Sequence, residues 1–393
     1  MPSAWLLPEH IADVLPSQAR RVEDLRRTWL DAARGYGFEL VIPPMLEHIE
    51  SLLSGTGGAL DLQTFKLVDQ LSGRTLGVRA DATPQVARID AHLLNRAGVT
   101  RLCYCGPVLH TRPASAHAGR EPLQLGAEIY GHAGLEADLE ALELALQGLG
   151  ACGLQGLVLD LADVRLVRGV LQAVGLGDLP SARIGALMSA ITAKDVAELG
   201  DLLGAQHAPA LQALTTLTRL YGGVEVLADA RKALPSHPLI TQALDDLAWL
   251  AQHLQSATPG VRIGFDLSDL SGFDYYSGTR FAVFAQGHAE SVLRGGRYDE
   301  VGAVFGRRRP AVGFSLDLKV LAEVLAGGAP MPPRSAILAP WGTDAALRDA
   351  IRQARAQGHT VVCALPGHEH DVQEFACDRE LALVDGRWTV RSR

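Results

Sequence analysis

In the run LQLGAEIYG, residues 123–131, Gln124, Gly126 and Glu128 alternate with Leu125 and Ala127. A period of two belongs to a β-strand, and it sets Gln124 and Glu128 on one face of whatever sheet that strand joins. An amide and a carboxylate on one sheet face give an α-ammonium group a negative partner and fixed acceptors in a partly dry site. Taken alone, the pair reads more readily as solvated strand positions. Three further places concentrate polar groups: Arg79 with Asp81 and Thr83, Asp274 with Tyr275 and Tyr276 in SGFDYYSG (271–278), and Arg297 with Tyr298 in RGGRYDEV (294–301). Arg120 lies just before Gln124 and Glu128. Phenol hydroxyls, carboxylates and backbone bared by Gly295-Gly296 suit a pocket for a small polar ring.

Around these segments the patterning is that of an α+β protein. Val22, Leu25, Trp29 and Ala33 recur at helical spacing over 17–34, with Ser17 placed to cap the helix and Gly35 and Gly37 to end it. FELVIPP predicts a strand stopped by Pro43 and Pro44. SLLSGTGGAL (51–60) reads as a glycine-rich loop without P-loop spacing, and 64–81 as a hairpin turning at Ser72-Gly73. Thr83-Pro84 opens a helix through His92. Strands follow at 101–109 and 122–131, then an amphipathic helix, LEADLEALELALQGLG. Residues 160–255 read as mostly helical, an insertion into an antiparallel core whose strands resume at VRIGFDL, RFAVFAQG and SVLRGG. AGGAPMPPRS (326–335) is a linker by composition, and residues 336–393 form a small α/β module: strand, helix, strand and a remnant, LALVDGRWTV.

The chain has 393 residues, 48% of them hydrophobic, enough to bury a sizeable core. Its net charge of -8, with no basic tract, matches a polyanion poorly, so tRNA is not an expected partner. Arg307, Arg308 and Arg309 make the one tight basic cluster, read as a solvated loop or a contact for phosphate or an acidic partner. Five cysteines without ligand spacing read as reduced thiols in a cytosol, and His368-Glu369-His370 as adjacent loop positions. No secretory signal and no transmembrane run is present. No metal and no cofactor are expected; the expected location is the cytoplasm.

In order along the chain, DVLP, the helix–strand–proline unit of 17–44, VRADAT, CGPVLHTRP, GREPLQLGAEIYG, SGFDYYSG, LRGGRYDEV and AVGFSLDL resemble the catalytic core of histidyl-tRNA synthetase, a class II synthetase. The resemblance covers about residues 5–325, making 1–325 one synthetase-like domain with the helical insertion inside it. It implies a histidine pocket formed by Asp81, Thr83, Arg120, Gln124, Glu128, Tyr275, Tyr276 and Tyr298. It also exposes three departures. Where the family carries arginines on ATP and on the carboxyl being activated, this chain has His110, Ser271 and, at the matching position of AVGFSLDLKVL, Val320. Losing one arginine of an anion clamp costs orders of magnitude in rate, and losing three should abolish adenylation.

A synthetase-like chain that keeps an amino-acid pocket and loses its ATP clamp resembles the regulatory subunit of ATP phosphoribosyltransferase. That resemblance implies a non-catalytic protein that self-associates as a dimer through the 17–44 region. Its expected partner is the short-form catalytic subunit of the first step of histidine biosynthesis, and its expected ligand is L-histidine, through which it takes part in feedback inhibition. A diverged working histidyl-tRNA synthetase and a pseudo-synthetase module binding RNA or protein are the alternatives. With Ser271 in place of arginine, the ligand's carboxylate needs another partner; Arg120 and Arg297 are both candidates.

Overall fold

The computed structural model describes residues 5–53, 57–115, 118–270, 272–273, 275–327, 333–368 and 375–393. Ser271, Asp274, Glu369 and His370 therefore lie outside the described residues, as does much of the predicted linker. Two compact units divide near Gly327.

In the first unit the strands are, in chain order, β1 (Glu39–Leu40), β2 (Leu46–His48), β3 (Phe65–Val68), β4 (Thr75–Val78), β5 (Thr100–Pro107), β6 (Leu123–Tyr130), β7 (Val158–Asp163), β8 (Tyr221–Gly222), β9 (Arg262–Asp266), β10 (Thr279–Phe284), β11 (Ser291–Arg297) and β12 (Ala311–Asp317). Nine of them form one sheet in the order β1-β5-β6-β12-β11-β10-β7-β9-β8. The centre, β5 to β7, is antiparallel, as the sequence predicts, but β1 joins β5 and β9 joins β7 in parallel, so the sheet is mixed. A separate three-stranded sheet, β2-β4-β3, carries the hairpin read from 64–81.

One face of the large sheet is apolar. Leu125, Ala127, Ile129, Phe281, Leu293, Phe314 and Leu316 are buried in one core with the helices Pro16–Gly35 and Leu135–Ala151. Trp29, from the first helix, meets Phe314 with ring centroids 5.7 Å apart. Its ring also fills the space where a side chain on Gly148 would lie. The close approach of these helices thus depends on glycine at 148. The helical block is built as its periodicity predicts, from six helices between Val164 and Ala257, and its apolar faces share that core.

Several local expectations are corrected. Ser17 caps nothing: the first helix starts at Pro16, whose fixed φ suits the first turn, and Leu15 at the capping position makes no side-chain bond. The FELVIPP strand shrinks to Glu39–Leu40 at the sheet edge, because the prolines that follow cannot donate to a ladder. The glycine-rich loop contains short helices, Ile49–Leu52 and Gly57–Gln63. The helix opened by Pro84 is α-helical to Arg88 and a π-helix over Ile89–Leu94. Residues 160–163, at the start of the block read as helical, belong instead to strand β7. The tight basic cluster is also not a solvated loop throughout. Arg309 is buried and paired with Asp90 at 2.9 Å, because its fork bridges the π-helix and the backbone of Tyr130.

The second unit holds β13 (Arg334–Pro340), the helix Ala345–Ala356, β14 (Val361–Ala364), β15 (Phe375–Val384) and β16 (Arg387–Ser392) in a sheet ordered β14-β13-β15-β16. The stretch read as a remnant is the β15–β16 hairpin, which completes this sheet. Among the described residues no helix is long and apolar enough to cross a membrane.

The Trp29–Gly148 contact gives a direct test of the packing. Alanine is the better helix former by about 1 kcal/mol, yet Gly148→Ala should lower stability by about 1–3 kcal/mol, the usual cost of overpacking. Urea denaturation measures it; a stabilised variant would contradict the close approach.

Candidate functional site

The opposite face of the same sheet is not apolar. The register places Arg280 (β10), Gly296 (β11), Gly313 (β12) and Glu128 (β6) in one row, and Arg294, Ser315, Gly126 and Tyr104 in the next. Three of these eight positions are glycines, and each leaves room for a named group. A Cβ on Gly126 would enter the Tyr104 ring, one on Gly296 would come within 2.8 Å of the Tyr276 ring, and one on Gly313 would meet Glu128 Oε2 and lie 2.5 Å from the Tyr298 hydroxyl. The strands keep their ladders while the face opens into a cavity of about 270 Å³. That is smaller than the roughly 300–1,000 Å³ of sites for drug-sized ligands. Asp81, Thr83, Glu128, Tyr275, Tyr276, Tyr298, Arg280 and Arg294 line it. The paired glycines divide their work: Gly296 admits the Tyr276 ring on the cavity face, and Gly295 admits the Phe281 ring on the core face.

At the bottom sits Glu128, 1% exposed. Its Oε1 accepts a hydrogen bond from the Tyr104 hydroxyl at 3.3 Å, and that hydroxyl shares a 2.9 Å bond with Thr83. Its Oε2 has no partner, nor do the hydroxyls of Tyr275 and Tyr298. A buried polar atom left unpaired costs about 1–3 kcal/mol. Three of them around one cavity mark where the polar atoms of a ligand belong. Burial, and secondarily the Asp81 carboxylate, pushes the Glu128 carboxyl well above the usual carboxylate range. Burial likewise raises Tyr275 and holds Tyr276 at about 12, so these phenols stay protonated as donors.

The lining is braced from outside. Asp81 Oδ1 accepts from the Thr83 backbone N–H at 3.0 Å and from Gln124 Nε2 at 2.8 Å, while Gln124 Oε1 accepts from the Ala82 N–H at 2.9 Å. Gln124 is on the same strand face as Glu128, but its amide is spent on fixing the turn that presents Asp81. Arg168, from the helix Val164–Ala173, donates to the Tyr276 carbonyl at 3.0 Å and lies over the Phe273 ring at 4.8 Å. The three tyrosines pack together, with Tyr275 and Tyr298 centroids 4.9 Å apart and Tyr275 edge-on to Tyr276 at 5.5 Å.

Of the residues the sequence singles out, Asp81, Thr83, Glu128, Tyr275, Tyr276 and Tyr298 are brought to the cavity and Gln124 stands behind it. Arg120 does not line it: its Nε donates to the His110 carbonyl at 3.0 Å and its guanidinium lies 5.2 Å from the Phe65 ring centroid. Arg297 is buried in an ion pair with Asp138 and bonds the carbonyls of His132 and Gly134. Neither candidate for a carboxylate partner therefore reaches the site. Two residues that sequence reasoning passed over, Arg280 and Arg294, do line it. At two of the positions where the resemblance implies synthetase arginines, His110 Nε2 is 2.9 Å from the Ala80 carbonyl, a brace beside the Asp81 turn, and Val320 lies half-buried on the helix Leu318–Ala326.

A mixed sheet with an antiparallel centre, a polar cavity on one face and long helices on the other, built from these motifs, is the class II arrangement of histidyl-tRNA synthetases. That family matches residues 10–321. Residues 334–391 match the family described as ATP phosphoribosyltransferase subunit HisZ C-terminal domain. The chain is 60% identical over 390 residues to the ATP phosphoribosyltransferase regulatory subunit of Verminephrobacter eiseniae, covering 99% of this chain and all of that one. Among solved structures, an ATP phosphoribosyltransferase regulatory subunit/histidyl-tRNA synthetase from Bacillus halodurans superposes with a TM-score of 0.79 at 27% identity, over 92% of this chain and 93% of that one. The ATP phosphoribosyl transferase (HisG:HisZ) complex of Thermotoga maritima has a chain of the same fold, with a TM-score of 0.57 at 19% identity, over 75% of this chain and 96% of that one. The chain belongs to the family of ATP phosphoribosyltransferase regulatory subunits, which are named as regulatory proteins and not as synthetases.

Glu128 makes the unliganded site sensitive to pH. A carboxyl whose pKa is raised on folding stabilises the fold fully below the ordinary carboxylate range, and that contribution is lost as pH rises through the folded value. Glu128→Gln removes the titration and keeps the shape. In urea titrations at pH 5 and pH 8, the variant should gain stability relative to the parent as pH rises; a difference independent of pH would contradict the buried carboxyl.

Proposed function

We propose that this chain is the non-catalytic, histidine-sensing subunit of ATP phosphoribosyltransferase, working in the cytoplasm with the short-form catalytic subunit at the first step of histidine biosynthesis. The observation that carries the sensing role is the unpaired Oε2 of Glu128 at the bottom of the cavity, beside the unpaired hydroxyls of Tyr275 and Tyr298. An imidazole offers an N–H donor and a ring nitrogen acceptor, which are the complements of a carboxylate and a phenol O–H. The half-buried Asp81, held by Thr83 and Gln124, is the negative partner for the α-ammonium group nearer the mouth.

Feedback follows if histidine binds two states of the complex unequally, since only differential affinity shifts an equilibrium. His110 and Val320 offer no cation for ATP at their positions, in keeping with a regulatory family. Self-association fits the edge of the large sheet, where Leu40 is 50% and Ile42 is 82% exposed. Such an edge is a template for pairing with a second copy. In this reading residues 1–325 are the sensing core, 160–255 its helical insertion, 326–335 a linker and 336–393 a distinct C-terminal module; the unit division near Gly327 and the family match to 334–391 support it.

Calorimetry of the purified chain with L-histidine should show saturable binding, weakened about 10- to 100-fold in Glu128→Gln, the cost of leaving a buried ligand nitrogen without its partner. In mixtures with the catalytic subunit, the same variant should need correspondingly more histidine for inhibition. Unchanged affinity in the variant would place histidine elsewhere.

A further inference from the structure

Opposite Glu128 the cavity is lined by two cations. Arg280, on β10, is 3% exposed and ion-paired with Asp269; Arg294, on β11, is exposed, and its Nε donates to Ser291 Oγ at 2.5 Å. Both lie on the cavity face of the sheet, in the rows that contain Glu128 and Gly126. Between Arg280 and Glu128 the row holds only Gly296 and Gly313, so no side chain rises from the floor across three strand spacings, roughly 14 Å. The Tyr276 ring, seated against Gly272 and Gly296, stands between the acidic and the basic ends.

The site is therefore bipolar: the Asp81 carboxylate and the buried Glu128 carboxyl on one side, guanidinium groups on the other. A monocation would leave the guanidinium side facing a like charge, and an anion would leave Asp81 facing one. A zwitterion satisfies both. Depth orders the contacts. The groups at the bottom, Glu128, Tyr275 and Tyr298, suit an uncharged polar ring, whereas an ionised amino-acid head belongs nearer water, where Asp81 and Arg294 are.

We propose that Arg294, backed by the buried Arg280, anchors the α-carboxylate of the bound amino acid, and that this contact makes the site select the free amino acid over its amine and alcohol analogues. This rests on the histidine reading above and specifies which end of the ligand the sensor reads. Arg280 is already held by Asp269, so much of its charge is answered there and it backs the wall without being the main contact. Arg294, with a solvent-exposed side chain, is placed to close a two-pronged fork on a carboxylate.

The test compares L-histidine, L-histidinol and histamine by calorimetry on the full chain and on Arg294→Gln and Arg294→Lys, with thermal unfolding run on each to confirm the fold. The parent should bind histidine at least about tenfold more tightly than either analogue. Arg294→Gln should lose about tenfold or more for histidine, change little for histamine, and so bring the ratio toward one. Arg294→Lys should retain part of the preference, because a point charge replaces the fork. Parent protein that binds histidine but does not discriminate, or an Arg294→Gln variant that discriminates as well as the parent, overturns the assignment. Failure of the parent to bind any of the three overturns the histidine reading itself, a distinct outcome.

Discussion

The structure depends on a buried carboxyl group, Glu128, facing a row of glycines. Glu128 sits on β6 among strands whose other face is the apolar core, and neighbouring strands at that level contribute Gly313 and Gly296 instead of side chains. A larger residue at 313 would meet Glu128 and Tyr298, and one at 296 would meet Tyr276. The cavity is thus an omission built into a complete hydrogen-bonded ladder, and the sheet pays no penalty in backbone pairing for carrying it. What remains unsatisfied is the carboxyl oxygen and two phenols, which is why the site asks for a polar ligand and not an apolar one.

The groups around that omission are held by buried ion pairs and capping contacts away from the ligand. Gln124 spends its amide on Asp81, Arg168 holds the Tyr276 carbonyl, Arg297 joins β11 to the helix Leu135–Ala151 through Asp138, and Arg309 ties β12's approach to the π-helix through Asp90. Removing one partner of such a pair leaves a buried charge uncompensated. These arginines therefore set the shape of the site without entering it. On the proposed reading, the chain keeps the side chains that recognise an amino acid. At the two described positions where the resemblance to a synthetase implies arginine, it has a histidine that braces a carbonyl and a valine on a helix.

The sequence made part of this legible for a physical reason. Strand alternation reports which residues share a face, so Gln124 and Glu128 were placed together, and adjacent tyrosines beside a glycine-rich strand marked a second wall. Alternation does not report which strands are neighbours. Arg280 stands in the run TRFAVF and Arg294 in SVLRGG, and nothing local distinguishes either from an ordinary strand residue. Only the pairing of β6 with β12, of β12 with β11 and of β11 with β10 brings them opposite Glu128. Arg297, by contrast, follows Gly296 on β11 and faces the other side, because neighbours along a strand alternate; Arg120 lies in a bend before β6, where no alternation applies. The edge strand was overread for a similar reason: FELVI has strand composition, but Pro43 and Pro44 leave it only two paired residues.

The central claim is that an amino-acid pocket has been kept while the chemistry of activation has been lost. The most direct measurement is histidine-dependent exchange of labelled pyrophosphate into ATP by the purified chain, at histidine concentrations that saturate the calorimetric signal. The account predicts saturated histidine sites and no exchange above a protein-free control. Exchange that scales with protein and requires histidine would contradict it, and would return the chain to the synthetases it resembles.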